Sequence, residues 1–278
     1  MALSLAAGDG IRTIMDRDGL IDALTRAAAQ DERVEALLLI GSLGAGQGDV
    51  WSDVDTVLVT TPESHADVVA SAREWVAAIA PPALWRQLFP PHPLFHAVLP
   101  GWLRLDVTIT VPGHIPTVRA ASRPLYDPSG LHDRLEAQRP ARKPDPGKIE
   151  QTIEEFLRVM GLAPVALGRG DLLCAARGWD LLRGLFLDLL VEAQAPPLSP
   201  GALATTRLLP ADDVDLLLSL PIPNYNRDSI IVSQTAIAEA FLTRARSLAV
   251  AIGVIWPAPL EAEMRARLRL ELGVDLRA

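Results

Sequence analysis

The stretch that decides the fold is Leu38 to Thr60, with the sequence LLIGSLGAGQGDVWSDVDTVLVT. It begins inside an apolar run, Val34 to Ile40, of the kind that forms a buried strand. Gly41 and Ser42 end that run, because a glycine followed by a small polar residue is typical of a turn. A second apolar segment, Asp53 to Thr60, is predicted to form the next strand.

Two aspartates lie at the start of this second predicted strand. Because side chains alternate along a strand, Asp53 and Asp55 are expected on one face, with Cα atoms about 7 Å apart. Magnesium prefers carboxylate oxygens, and two such ions about 3.5–4 Å apart can hold the attacking and leaving oxygens of a phosphoryl displacement. Ser42 lies where a hydroxyl and backbone N–H groups can contact phosphates. The segment therefore predicts a magnesium and nucleotide site.

The alternative interpretation of this segment is structural. A Gly-Ser turn is common, and an Asp-x-Asp pair at the start of a strand is often a solvated loop edge. The combination of both, at this spacing and between two apolar strands, is much harder to reach by chance. It favours the functional interpretation.

The segment resembles the signature of the polymerase-β-like nucleotidyltransferase superfamily, a Gly-Ser followed by an Asp-x-Asp between apolar residues. Within it, the chain looks most like the antibiotic nucleotidyltransferases, which adenylylate aminoglycosides or lincosamides. The resemblance implies that Asp53 and Asp55 bind metal and that Gly41 and Ser42 bind phosphate. Many members carry an arginine a few residues after the serine, where this chain has Ala45, so a phosphate contact is expected from elsewhere.

The same segment adds Ser52, directly before the aspartate pair, as a predicted nucleotide-binding residue. A third carboxylate is expected on a later strand, Trp102 to Val111, with the sequence WLRLDVTITV. Its strict alternation places Asp106 on the polar face together with Arg104. An aspartate there can be merely solvated, but beside a metal-binding pair Asp106 is predicted as a third metal ligand or as the general base. The sequence leaves these two roles open, because a base is defined by its reach to the attacking hydroxyl.

Composition limits the class of protein. The chain has 278 residues, of which 49% are hydrophobic, and its apolar segments are short. A helix that spans a bilayer needs about 20 apolar residues in succession, and no apolar run in this sequence approaches that length, so no membrane partner is expected. The first residues lack a basic region, which argues against a secretory signal. A single cysteine, Cys174, excludes an internal disulfide. These features predict a cytoplasmic protein.

Charge argues against a nucleic-acid partner. The formal net charge is -8, and a protein that grips polynucleotide backbones is expected to carry a basic stripe. The densest basic group is interrupted by prolines, at Arg139 to Lys148, which is typical of a linker. This linker predicts a nucleotidyltransferase domain of mixed α/β structure at residues 1–138 and an all-α substrate-side domain at residues 139–278.

Hydrophobic periodicity supports that division. The predicted elements of the first domain are helices near Arg17–Ala29 and His65–Ala80 and strands near Val34–Ile40, Asp53–Thr60, Leu94–Leu99 and Trp102–Val111. Those of the second are helices near Glu150–Met160, Asp171–Ala193, Ala211–Ser219, Ser233–Ile252 and Leu260–Leu272.

Further contacts are predicted with less support from the pattern. Lys148, Tyr225 and Arg227 are candidate contacts to the nucleotide. Trp102, Trp179 and Asp180 are candidate contacts to the acceptor, as is Asp171, whose Arg-Gly-Asp context resembles a helix start of the antibiotic nucleotidyltransferases. Each has a structural alternative: a linker charge, a helix connection, an ion pair or, for Asp171, an N-cap.

Five histidines precede the helical half, and we interpret His92 and His96 as structural or rim residues. The predicted reaction uses two magnesium ions and transfers a nucleoside monophosphate, AMP from ATP, to a hydroxyl of a small molecule, with release of pyrophosphate. The predicted acceptor is an aminoglycoside; a lincosamide, a protein or another metabolite is the alternative. A noncatalytic nucleotide-binding module is the alternative from another class. The oligomeric state, monomer or homodimer, is left open.

Overall fold

The structure is a computed structural model that describes residues 15–88, 93–197 and 205–277. The chain divides into two compact units between Arg139 and Pro140. The linker predicted a boundary after residue 138. An α/β unit followed by an all-α unit is the predicted fold class, and it is confirmed. None of the described helices is both long enough and apolar enough to cross a membrane.

The N-terminal unit contains a mixed sheet of six strands in the order β3-β4-β5-β2-β1-β6. The strands are β1 Val34–Ile40, β2 Val54–Thr60, β3 Leu84–Leu88, β4 Leu94–Leu99, β5 Leu103–Thr110 and β6 Arg123–Tyr126. Strand β2 pairs with β5 in parallel, and the other neighbouring pairs are antiparallel. Strands β1 and β2 are largely buried because they lie inside the sheet, which is why their sequences are continuous apolar runs.

The described residues of this unit also form α-helices. They are α1 Arg17–Gln30, the single turn α2 Gly41–Gly44, α3 His65–Ala70 and α4 Ala72–Ala77. Helix α1 begins after Asp16, whose carboxylate accepts the N–H of Gly19 at 2.9 Å. Its apolar face then buries Leu20 and Leu24 against the sheet. The helix agrees with the one predicted near Arg17–Ala29, and Asp16 satisfies one of the N–H groups that a helix start leaves free.

The sequence predicted one helix over His65–Ala80, but the structure divides it at Ser71. The backbone of Ser71 leaves the helical region, with ψ near 11°, and its hydroxyl donates to the carbonyl of Asp67 at 2.8 Å. A serine hydroxyl that bonds back to the preceding turn competes with regular helix geometry.

Two edge strands were not predicted. Among the described strands, β3 pairs with β4 and β6 pairs with β1, which places them at the two ends of the sheet order. Strand β6 has the sequence RPLY, and a proline is compatible with an edge strand because one side of that strand needs no ladder hydrogen bond. Neither strand has the alternating apolar pattern that identifies a strand locally.

The described part of the C-terminal unit contains helices joined by loops, and it contains no strand. Its helices are α5 Pro146–Met160, α6 Ala163–Gly168, α7 Leu172–Gln194, α8 Ala211–Ser219, α9 Arg227–Ile252 and α10 Ala258–Leu272. Helix α6 was not predicted. The core contains Phe156, Phe186 and Phe241, all fully buried, with the rings of Phe156 and Phe241 stacked. Helices α5, α7 and α9 pack around these rings because each turns its apolar face inward.

One buried carboxylate joins two helices of this unit. Glu261 on α10 is 6% exposed. It accepts hydrogen bonds from Arg265 Nε at 2.7 Å, from Trp256 Nε1 at 2.6 Å and from Arg246 on α9. Burial opposes ionisation, but these three donors together hold the pKa of the Glu261 carboxyl below its usual range.

We expect Glu261→Gln to lower the free energy of unfolding by about 2 kcal/mol at neutral pH, because hydrogen bonds to a charged acceptor are lost. A depressed folded pKa contributes stability above the unfolded glutamate pKa, about 4.3, and loses it as pH falls through the lower folded value. The difference between variant and wild type should therefore shrink in acid. Urea unfolding of both proteins at pH 7 and below pH 4 measures this difference. The control is Glu271→Gln, because the carboxylate of Glu271 is exposed and pairs with Arg267 at 3.1 Å.

Candidate active site

Three aspartates lie together where β2 begins, beside the adjacent strand β5 in the interior of the N-terminal sheet. Asp55 on β2 and Asp106 on β5 are direct partners in the parallel register, so their Cα atoms are about 4.8 Å apart. Asp53 lies two residues before Asp55 and therefore on the same face. The parallel pairing of β2 with β5 is what brings a carboxylate from a distant part of the sequence beside the Asp-x-Asp pair.

Gly41 lies against this cluster. Its φ is +64°, a left-handed conformation that favours glycine. A Cβ built on Gly41 would lie 2.2 Å from Oδ2 of Asp55. Ile40 and Asp55 are partners in the antiparallel β1–β2 register, which places the turn beside that carboxylate. Both the backbone conformation and the close approach therefore require glycine at this position.

The loop after Gly41 is held by hydrogen bonds between its own polar groups. Ser42 Oγ donates to Ser52 Oγ at 3.0 Å, and Ser52 Oγ donates to Asp49 Oδ1 at 3.0 Å and accepts the Asp49 N–H at 2.9 Å. Arg17 on α1 donates to the carbonyl oxygen of Asp49. The two predicted nucleotide-binding serines are thus in direct contact, although they are ten residues apart in sequence.

The electrostatics of the cluster are unfavourable when all three carboxylates are charged. Burial, together with the negative charges of Asp53 and Asp106, raises the pKa of Asp55 to about 7, against the opposing effects of Arg104 and His96. Burial also raises the pKa of Asp106, while the hydrogen bond with His96 opposes that change. A divalent cation would offset this crowding, so the donor set of three carboxylates fits magnesium.

Two basic side chains already contact the carboxylates. His96 Nδ1 is hydrogen-bonded to Asp106 Oδ1. Arg104 places one guanidinium nitrogen 3.6 Å from Asp53 Oδ2 and donates from the other to the carbonyl oxygen of Trp51 at 2.9 Å. Within residues 15–88, 93–197 and 205–277, no group of three or more His, Cys, Asp or Glu side chains is arranged so that it could hold a metal ion without rearrangement. A cation that binds all three aspartates has to draw their oxygens away from these partners.

His96 and Arg104 were missed as site residues. His96 on β4 lies opposite Asp106 in the β4–β5 register and bonds to it, a contact that the interpretation of His96 as a structural or rim residue did not include. That register is not visible in the sequence. For Arg104 a signal existed, since the alternation along β5 places it on the face of Asp106. His92 lies outside the described residues.

Two tryptophans flank the cluster in sequence. Trp51 and Trp102 are both about four-fifths exposed, Trp51 directly before Ser52 and Trp102 directly before β5. Trp102 has a φ of +62°, an unusual conformation for a bulky residue. The sequence selected Trp102 as an acceptor contact and did not select Trp51.

In the helical unit, Trp179 requires a correction. It was predicted to line a substrate cleft, but it is 5% exposed and belongs to the core formed with Leu182 and Phe186. The reason is its position on α7, three residues before Leu182 and seven before Phe186, which is the buried face of a helix.

Apart from Tyr225, the other predicted contacts of the helical unit have structural partners within that unit. Asp171 is the N-cap of α7 and accepts the N–H of Cys174 at 2.9 Å, which is the structural alternative that the sequence offered. Asp180 lies 3.7 Å from Arg183 and Lys148 lies 4.0 Å from Glu192. Arg227 donates to the carbonyl oxygen of Leu167 at 3.2 Å, and Tyr225 is exposed.

Comparison with protein-family models and with curated proteins gave no match. Among solved structures, an aminoglycoside 6-adenyltransferase from Bacillus subtilis is similar over 90% of this chain and 96% of its own, with 15% identity and a TM-score of 0.42. A nucleotidyltransferase-like protein from Exiguobacterium sibiricum is similar over 90% and 86%, with 13% identity and a TM-score of 0.35.

A third similar structure is the Thermotoga maritima CCA-adding enzyme, over 90% of this chain and 69% of its own, with 12% identity and a TM-score of 0.32. The names of the first two belong to the class that the sequence motif resembles. At these TM-scores the likeness itself establishes no activity for this chain.

Proposed function

We propose that this chain is a polymerase-β-like nucleotidyltransferase that transfers AMP from ATP to a hydroxyl of a small molecule. The observation that carries the proposal is the meeting of Asp55 and Asp106 on the parallel strands β2 and β5, with Asp53 directly before β2 and Gly41 packed against Asp55. Three crowded carboxylates cost stability. Binding of divalent cations would offset that cost and explains why the three carboxylates lie together.

Asp53, Asp55 and Asp106 are the residues that would hold magnesium. Bound magnesium would supply Lewis-acid polarisation of phosphate oxygens and offset the charge that develops on pyrophosphate. In the transfer, the acceptor hydroxyl oxygen forms a bond to the α-phosphorus while the bond to the β-phosphate bridging oxygen breaks. The electron pair of that bond leaves with pyrophosphate, and the hydroxyl proton goes to a carboxylate.

Asp106 is proposed as that carboxylate or as the third metal ligand. The raised pKa of Asp106 suits a group that receives a proton. His96 holds one of its oxygens and leaves the other for the acceptor or the metal. The main chain at Gly41 and the linked hydroxyls of Ser42 and Ser52 are proposed to contact the triphosphate, since their geometry is fixed before a ligand arrives.

We propose an aminoglycoside as the acceptor, with a lincosamide, a protein or another metabolite as the alternatives. The net charge of -8 supports a cationic acceptor. Some acidic residues of the helical unit already have basic partners, as Asp213 has Arg244 at 2.9 Å and Glu155 has Arg158 at 2.6 Å. The support therefore comes from overall charge more than from a free acidic patch. Acceptor contacts by Asp171, Asp180 and Trp102, and nucleotide contacts by Lys148, Tyr225 and Arg227, are part of the proposal.

The proposal predicts pyrophosphate release when the protein is incubated with ATP, magnesium and at least one aminoglycoside. The apparent affinity for that acceptor should fall as salt rises, because attraction between exposed charges is screened. A panel of aminoglycosides and lincosamides at two salt concentrations, with a coupled pyrophosphate assay, measures both effects. Turnover with lincosamides alone would indicate a lincosamide as the acceptor. No pyrophosphate release with any of the drugs would favour a protein or metabolite acceptor.

A further inference from the structure

The segment that would meet the triphosphate has no basic side chain of its own. From Gly41 to Ser52 the sequence contains no lysine or arginine. A triphosphate carries several negative charges, which protein sites commonly meet with a cationic side chain as well as with backbone N–H groups. A basic residue from another element is therefore needed near this loop.

Arg104 is placed to supply that charge. It lies on β5, two residues from Asp106 and on the same face. Its guanidinium joins the end of the loop to the carboxylates, because it donates to the Trp51 carbonyl oxygen at 2.9 Å and lies 3.6 Å from Asp53 Oδ2. Arg17 also reaches the loop, but its guanidinium binds the Asp49 carbonyl oxygen, and no contact joins it to the three aspartates.

The present partner of Arg104 is one of the proposed metal ligands. An arginine at 3.6 Å and a divalent cation compete for the same carboxylate, since each neutralises its charge. The side chains of Arg104 and Asp53 are 27% and 29% exposed. Solvent therefore weakens their attraction, and a divalent cation can replace Arg104 as the partner of Asp53. Once a cation neutralises Asp53, the guanidinium loses its carboxylate partner while it remains beside the loop.

We propose that Arg104 is the resident counter-cation of the metal-free cluster and a phosphate contact of the nucleotide-bound one. It holds Asp53 when no divalent cation is bound, and it moves onto the triphosphate when the metal and nucleotide arrive together. The inference rests on the proposed function of this site. It assigns to Arg104 the cationic phosphate contact that no residue of the Gly-Ser loop can provide. Arg104 contacts nucleotide in this scheme but neither donates nor receives the transferred proton.

The inference predicts opposite changes in two affinities of Arg104→Gln. The affinity for Mn²⁺ without nucleotide should rise about two- to fivefold, because a competing cation of moderate strength is removed. The affinity for a non-hydrolysable ATP analogue in the presence of magnesium should fall about tenfold or more, because a charge-assisted contact is lost. Electron paramagnetic resonance measures the first and isothermal titration calorimetry the second.

Two further variants separate this role from a structural one. Arg104→Lys keeps the cation but not the forked donor, so its Mn²⁺ affinity should stay near that of wild type and its analogue affinity should lie between the other two. Arg73→Gln removes an exposed positive charge from α4 and should change neither affinity. A merely structural role would lower both affinities of Arg104→Gln together, and circular dichroism with urea unfolding reports any general loss of fold.

The result that overturns the inference is a wild-type protein that binds Mn²⁺ and the analogue while Arg104→Gln binds both unchanged or both more weakly. Pyrophosphate release by wild type in that case leaves the proposed function in place. The reverse result is also distinct: the two opposite shifts without pyrophosphate release from any acceptor uphold the role of Arg104 and contradict the proposed transfer. A wild-type protein that binds neither probe contradicts both.

Discussion

Asp55→Asn is expected to reduce pyrophosphate release about a thousandfold, because the loss of a metal-binding carboxylate removes several kcal/mol of transition-state stabilisation. Folding should be preserved, since asparagine is nearly isosteric and carries no charge to be buried next to Asp53 and Asp106. The free energy of unfolding should therefore equal or exceed that of wild type. Initial rates of pyrophosphate release and urea unfolding curves measure the two quantities.

The control for this experiment is Asp22→Asn, which removes a carboxylate from an exposed position on α1 and should leave the rate unchanged. Asp53→Asn is expected to match Asp55→Asn in rate. Wild-type turnover in either cluster variant would contradict the metal-binding assignment. A loss of turnover together with a large loss of stability would instead indicate that the carboxylate supports the fold.

Gly41→Ala is expected to remove activity to a similar extent through a steric effect. The added methyl group would collide with Asp55 Oδ2, from which an ideal Cβ lies 2.2 Å away. Either the carboxylate moves out of the cluster or the turn moves away from it, and both displace the metal and phosphate contacts. Because φ is +64°, the alanine also adds backbone strain of about 1–3 kcal/mol. The rate, the Mn²⁺ affinity and the unfolding curve should all change.

The same loop provides a matched control. Gly46 also has a positive φ, +70°, but a Cβ there meets nothing within 4 Å. Gly46→Ala should therefore show the strain without the collision: a comparable loss of stability, with Mn²⁺ affinity and rate close to those of wild type. Equal activities in the two alanine variants would mean that the contact between Gly41 and Asp55 does not matter for the site.

The strands and helices that the sequence predicted are those with a strong local pattern. Strands β1 and β4 begin and end at the predicted residues, and helix α8 does as well. The buried strands are continuous apolar runs, and the helices repeat their apolar residues every three to four positions. The elements that were missed, β3, β6, α2 and α6, are short or lack such a period, so their backbone is organised mainly by their neighbours.

The candidate site divides in the same way. Gly41, Ser42, Asp53 and Asp55 lie within one segment, so their spacing alone predicts a common site. Asp106 follows from the alternation along its own strand. His96 could not be predicted, because nothing local indicates that β4 pairs with β5 in the register that opposes His96 to Asp106.

Trp179 shows that a local pattern can also suggest a site residue that the fold buries. Its large aromatic side chain suggested a cleft, but the packing of α7 against α5 and α9 places it inside the core. Whether a face of a helix meets solvent or another helix depends on elements that are distant in sequence. The pattern only states that the face is apolar.

By itself, the sequence determined the two classes of secondary structure, the order in which they occur and the Gly-Ser and Asp-x-Asp segment, because propensity, periodicity and turn chemistry act over a few residues. The tertiary structure alone decided that β2 lies parallel to β5, that Asp106 meets Asp55, and that His96 and Arg104 hold the carboxylates. Strand pairing and register are set by the burial of whole faces across the sheet, and that energy belongs to contacts between residues far apart in the chain.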